Sequence, residues 1–233
     1  MTPARRIVIA IDGPAASGKS STAQWVAERL GFRHVDSGAL YRAATAARLS
    51  ETGGDVSTWT EADVLAAAQK RVRLVSGERS FMPQIDGTAA DEQIRGSDVT
   101  RHVSLVARMQ RVREWVNQQV RDASRAHSVV VDGRDIGTAV FPDADLKIFL
   151  VADPWERARR RLVQQLQRNP TDDEIAEETD RLVHRDAKDA RQSGQAPDAV
   201  LVDTTYLTQE EQVERIVALA NAVTHRDSST SDT

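Results

Sequence analysis

Residues 13–20 read GPAASGKS, and residues 128–135 read SVVVDGRD. The first stretch has the spacing GxxxxGK(S/T). Its two glycines let the backbone turn tightly and aim N–H groups inward, and a following helix adds its positive end. Gly13, Pro14, Ala15, Ala16, Ser17, Gly18, Lys19, Ser20 and Ser21 therefore form a candidate cradle for a nucleoside triphosphate. Lys19 would reach the β- and γ-phosphates and the Ser20 hydroxyl would bind Mg²⁺. In the second stretch three valines run into Asp132-Gly133-Arg134-Asp135. Open α/β sheets bind ligands at the C-terminal ends of their strands, so the charged end of a buried strand points to a site. A third such place is Asp36-Ser37-Gly38-Ala39-Leu40-Tyr41-Arg42. There Arg42 sits one turn into a helix and could hold a second phosphate bidentately.

These residues need strands and helices to position them, and the hydrophobic pattern supplies both. Ile7–Ile11 reads as a buried strand and Ser20–Leu30 as a helix with Ala23, Val26, Ala27 and Leu30 on one face. Residues 34–36, 129–132, 147–151 and 200–202 read as further strands. Residues 40–49, 103–121 and 210–223 read as helices. Strands separated by helices predict an α/β fold, a P-loop-type parallel sheet covered on both faces. Two excursions break the rhythm. Residues 71–95 alternate in pairs with polar turns, which predicts a small antiparallel insertion, and residues 153–192 form a charged helical segment interrupted at Asn169-Pro170. The expected organisation is one P-loop domain over 1–225, with a core of about 1–40, 104–152 and 195–225. The region with the insertion covers about 41–103 and the region with the charged helical segment about 153–194; the polar end, 226–233, is expected to be a disordered tail.

The bulk properties narrow the class. Of 233 residues, 40% are hydrophobic and 28% charged, with a net charge of −4, an ordinary globular balance that gives no reason to expect a nucleic-acid polymer or membrane surface as partner. There is no cysteine, which excludes disulfides, thiolate metal sites and cysteine nucleophiles. Five histidines without HxxxH or HExxH spacing argue against a transition-metal centre. The first apolar run is too short for a signal peptide or membrane span, so a cytoplasmic location is expected. No long apolar stripe demands a partner, so a monomer is expected.

A P-loop alone does not separate motors, switches and kinases. The (N/T)KxD stretch of a GTPase is absent, and so is a shikimate-kinase glycine triplet. Glu78-Arg79-Ser80 resembles a deoxynucleoside-kinase motif but lies in a polar hairpin. Kinases of other small acceptors and non-catalytic P-loop proteins remain as alternatives. Five stretches decide among them: IDGPAASGKSS, DSGALYR, IRG with VTRHVSLVARMQRVRE, DGRDIGTAVFPDA, and VDTTYLT, spanning about residues 7–208. With these the chain resembles the bacterial cytidylate kinases of the nucleoside monophosphate kinase family.

The resemblance implies ATP and Mg²⁺ as cofactors and CMP or dCMP as acceptor, with CDP or dCDP and ADP as products. It implies that Ser37, Arg42 and Arg134 surround the monophosphate, and that Ser104, Arg113 and Asp135 read the cytosine ring. Arg185 and Asp189 match positions near the acceptor phosphate and ribose hydroxyls. The resemblance makes about 41–103 a monophosphate-binding region and about 153–194 a mobile lid of the kinase domain. The lid's Arg157 and Arg161 share a helical face and would approach the transferred phosphoryl, so the expected catalytic set is Lys19, Arg134, Arg157, Arg161 and Arg185. One departure stands out: Gln192 occupies a position where the family carries arginine, and Arg191, one residue earlier, is the candidate to replace it.

Overall fold

Side-chain alternation and burial together fix the strands. In the computed structural model, which describes residues 5–53, 55–190 and 193–229, the chain starts with β1 (Val8–Asp12), α1 (Lys19–Leu30), β2 (Arg33–Asp36) and α2 (Ser37–Thr52). It continues through α3 (Glu61–Arg71), β3 (Val72–Ser76), β4 (Ser80–Ile85), β5 (Thr88–Ala89), α4 (Asp91–Arg95), α5 (Ser97–Val106) and α6 (Gln110–Ser124). Then come β6 (Val129–Gly133), a single π-type turn (Ile136–Val140), β7 (Leu146–Val151), α7 (Pro154–Leu166), α8 (Asp172–Asp189), β8 (Val200–Asp203) and α9 (Gln209–Ser229). The elements fall into two compact units.

The unit of Ile7–Gly31 and Val130 onward holds the P-loop. In it β6, β1, β7 and β8 are successive neighbours, with β1–β7 and β7–β8 parallel. Every residue of β6 is buried. Because successive side chains point to opposite faces, both faces of this strand are covered, which is why three valines stand in a row. Helices α1 and α9 pack together, as do α7 and α8. The α7–α8 pair encloses Ala158, Leu162, Ile175 and Leu182 against Ala15 of the P-loop. Asp153 caps α7, its carboxylate accepting from the Trp155 and Glu156 N–H groups, and Pro154 sits at the first helical position, where its missing N–H costs nothing. Thr171 and Glu174 close α8 with a capping box.

The unit of Phe32–Val129 and the residues up to Arg6 carries the insertion. The expected antiparallel strands form: β3 with β4, and β4 with β5. They are not a separate sheet, because β4 also pairs in parallel with β2, His34 opposite Ser80 and Val35 opposite Phe81. Asp86 and Gly87 both take positive φ, 52° and 80°, the geometry of a tight hairpin turn that favours this dipeptide. Helix α3 belongs to no expected element, although its Thr60–Asp63 capping box is visible in the sequence.

One expectation is corrected. The helix expected over 103–121 is two helices, α5 and α6, separated at 107–109. The Ala107, Arg108 and Met109 N–H groups tighten onto Val103, Leu105 and Val106, and the Arg113 guanidinium donates to the Ala107 carbonyl at 3.0 Å. The backbone of α9 runs to Ser229, and the rest of the expected tail, residues 230–233, lies outside the described residues. No helix among the described residues is long and apolar enough to cross a membrane.

Candidate active site

The P-loop geometry follows from its glycines. Gly13 has φ +152°, and a Cβ there would collide with the Leu150 carbonyl oxygen of β7, so only glycine lets the loop lie this close to the sheet. Gly18 is left-handed, φ +86°, and opens α1. Lys19 folds back, its Nζ donating to the Pro14 carbonyl at 2.6 Å. Ser21 Oγ donates to the Gly18 carbonyl at 3.0 Å. The Ser17 hydroxyl is fully buried and unpartnered within the loop, a polar atom left for an incoming group.

Ser20 Oγ donates to Asp132 Oδ2 at 2.6 Å, and Asp132 is 2% exposed at the end of β6. A hydroxyl and a buried carboxylate beside a phosphate cradle fit Mg²⁺, which is held by few protein oxygens together with substrate phosphates and water. Among the described residues no group of three or more His, Cys, Asp or Glu could hold a metal ion.

Helices α7 and α8 bring cations to this loop. Arg157 is 4% exposed, and its Nη1 donates to the Ala15 carbonyl at 2.9 Å and to Asp186 Oδ2 at 2.6 Å. Asp186 Oδ1 accepts the Ala15 N–H at 3.2 Å, taking an amide of the kind this loop offers to anions. Arg134 reaches the same helix, 3.8 Å from Asp186 and 3.4 Å from Asp189. Arg185 Nε lies 3.7 Å from Asp189 Oδ2. Three guanidiniums thus share two carboxylates. Burial pushes the Arg134 pKa down, Arg185 and Arg157 push the same way, and Asp189 and Asp186 oppose them. An added anion relieves that excess of positive charge. Arg161 does not join the cluster: its Nε pairs with Glu178 at 3.1 Å, bracing α7 against α8.

In the other unit Ser37 is buried at the first position of α2, which Asp36 caps by accepting the Ala39 N–H at 3.0 Å. Arg42 Nη1 donates to Thr100 Oγ1 at 3.0 Å and to the Ile94 carbonyl at 3.4 Å, tying α2 to α5 and α4. Ser104 is half-buried on α5, and Arg113 lies on α6 beyond the break. Arg191 and its neighbour Gln192 lie outside the described residues.

The profile of the family described as cytidylate kinase matches residues 9–222. The chain belongs to the cytidylate kinase family. It is 39% identical over 231 residues to a cytidylate kinase of Chlorobaculum tepidum, covering 95% of this chain and 96% of that one. It is 42% identical over 222 residues to one from Geobacillus kaustophilus, covering 93% and 97%. A solved uncharacterized protein from Eubacterium ventriosum shares the fold alone, with TM-score 0.51 and 11% identity over 93% of this chain and 99% of that one. As a member of a kinase family, the chain is a phosphotransferase.

Two carboxylates of this cytidylate kinase family member carry weight that the sequence reading assigns to neither. One is Asp186; its only local sign is a place beside Arg185. The other is Asp12, the last residue of β1 and 4% exposed. Its Oδ1 and Oδ2 accept the Ile136 and Gly137 N–H groups, each at 2.8 Å. Burial pushes its pKa up from the ordinary 3.8 to about 6, against the two backbone hydrogen bonds. A carboxyl whose folded pKa is raised favours folding below pH 4 and loses that contribution as pH rises through 6. With those two values the loss between pH 5.0 and 7.5 is roughly 1.4 kcal/mol. The stability advantage of wild type over Asp12→Asn should shrink by that amount across the interval. Urea unfolding of both proteins at the two pH values measures it; a constant difference would contradict the raised pKa.

Proposed function

We propose that the protein transfers the γ-phosphoryl group of MgATP to CMP or dCMP, giving CDP or dCDP and ADP. The observation that carries this reading is the meeting of Arg157, Arg134 and Asp186 at the Ala15 amide, beside Lys19 and the Ser20–Asp132 pair. Such a cluster suits the transfer of a charged group and leaves little for covalent chemistry.

The acceptor phosphate is mostly dianionic at pH 7, because second phosphate pKa values lie near ~6. No general base is then needed. The protein's work is to hold two polyanions in line despite their repulsion and to keep water away. Lys19 and Arg157 neutralise the donor's γ-phosphate. Arg134 and Arg185 release part of their hold on Asp186 and Asp189 and take the acceptor phosphate, while Asp189 remains to accept from a ribose hydroxyl. Ser20 and Asp132 would hold Mg²⁺, which supplies charge neutralisation on the phosphate oxygens. Likeness to the family assigns Ser37 and Arg42 to the monophosphate, Ser104 and Arg113 to donation onto the cytosine ring, and Asp135 to its amino group. Arg161, paired with Glu178, serves the lid's construction.

The base assignment has a direct consequence. Asp135→Ala should lower kcat/KM for CMP about a hundred-fold, the scale expected when a site loses the partner of a substrate N–H, and leave ATP affinity within about two-fold. Equal losses toward both substrates would mark Asp135 as a scaffold residue. The reaction itself is tested by ADP release with CMP, dCMP, UMP, AMP or no acceptor. Fast turnover confined to the cytidine nucleotides supports the proposal, and turnover indifferent to the monophosphate overturns it.

A further inference from the structure

The π-type turn Ile136–Val140 follows directly on Arg134 and Asp135, and its first N–H groups have no partner within the turn. Such donors are ordinarily capped by a neighbouring side chain. Here a residue 124 positions away does it: one Asp12 carboxylate takes both the Ile136 and the Gly137 N–H, one on each oxygen. Asp12 immediately precedes Gly13, whose φ of +152° begins the P-loop. The same buried side chain therefore joins the strand end that launches the phosphate loop to the segment that presents Asp135. Space at the far end is equally restricted. A Cβ on Gly137 would lie 3.4 Å from Asp12 Oδ2 and 3.2 Å from the Lys147 side chain. Gly137 thus keeps its amide within reach of the carboxylate.

We infer that Asp12 is a positioning residue for acceptor-base selection: it holds the 135–137 backbone so that Asp135 meets the base of a nucleotide acceptor. The inference rests on the proposed reading of Asp135 and adds a residue that touches neither substrate. A carboxylate is required because both of its oxygens accept. The amide of Asp12→Asn offers one oxygen and turns an N–H₂ toward the second backbone N–H, leaving that donor buried and unpaired.

The readout is the ratio of kcat/KM for CMP to that for UMP, which general loss of stability does not move. Asp12→Asn should lower the ratio about ten-fold, with ATP affinity in the absence of acceptor changed less than about three-fold. Asp135→Ala should lower it at least as much, and the double variant should match Asp135→Ala alone, because both changes act through one contact. An Asp12→Asn enzyme that is slower on both acceptors with the ratio kept would overturn the inference and leave the reading of Asp135 standing. A wild-type ratio in Asp135→Ala would instead remove that reading, and the inference with it. If Asp12→Asn does not fold, Gly137→Ala disturbs the same contact from the other side with the charge retained. A several-fold loss of the ratio supports the inference and a wild-type ratio overturns it.

Discussion

Lys19→Ala is expected to lower kcat about a thousand-fold, the upper range for removal of one preorganised charge from the site of developing charge. The lysine is already in place: its Nζ lies 2.6 Å from the Pro14 carbonyl, folded over the loop. On the proposed reading, a bound triphosphate would meet an ammonium group that needs no search, with the entropy of ordering it spent during folding. The expected cost to folding is small, about 1 kcal/mol, because one hydrogen bond to a half-buried carbonyl is lost. Far-UV circular dichroism and the urea midpoint should stay close to wild type while turnover collapses. Lys19→Arg should recover little, since a planar guanidinium does not fit the same turn as a compact ammonium. Activity within ten-fold of wild type in Lys19→Ala would mean that the loop does not hold the transferred phosphate.

Arg134→Ala is the second large effect, and it should fall on the acceptor. Arg134 stands between Asp186 and Asp189, 3.8 and 3.4 Å away, in a site whose burial pushes its own pKa down. Its removal leaves those carboxylates to Arg157 and Arg185 and takes the surplus positive charge from the cluster. We expect kcat/KM for CMP to drop about a thousand-fold at saturating ATP, with ATP affinity reduced less than about five-fold. Arg134→Lys should restore no more than about a tenth of the lost activity, because a single ammonium cannot bridge two carboxylates and also offer a fork to phosphate. Measuring kcat/KM for each substrate at saturation of the other separates the cases. Equal losses for ATP and CMP would make Arg134 a scaffold residue that pairs with Asp186 and Asp189 of α8 instead.

What the sequence made legible and what it hid have physical causes. The P-loop is contiguous because neighbouring backbone amides must converge on one anion, so Gly13 to Ser20 are readable as a string. Strand β6 is readable because burial on both faces forces an unbroken apolar run. The break between α5 and α6 is not: Ala107, Arg108 and Met109 include no glycine or proline, and the interruption is held by Arg113 reaching back to the Ala107 carbonyl. Pairing of β4 with β2 was equally hidden, since alternation reports that a strand has two faces and not which strand lies beside it. Asp186 meets Ala15 across 171 residues, and Asp12 meets Ile136 across 124. No local pattern encodes either contact. Arg157 and Arg161 share a helical face, yet packing divides them: the first goes to the P-loop, the second to Glu178.

On the proposed reading a phosphoryl group passes from one gripped nucleotide to another and not to water. The most direct measurement follows the label from γ-phosphate-labelled ATP when CMP is present and when it is withheld. Label should appear in CDP, with only a few per cent as inorganic phosphate, and almost no ATP should be consumed without CMP. Label appearing as inorganic phosphate at a rate that CMP does not change would contradict it.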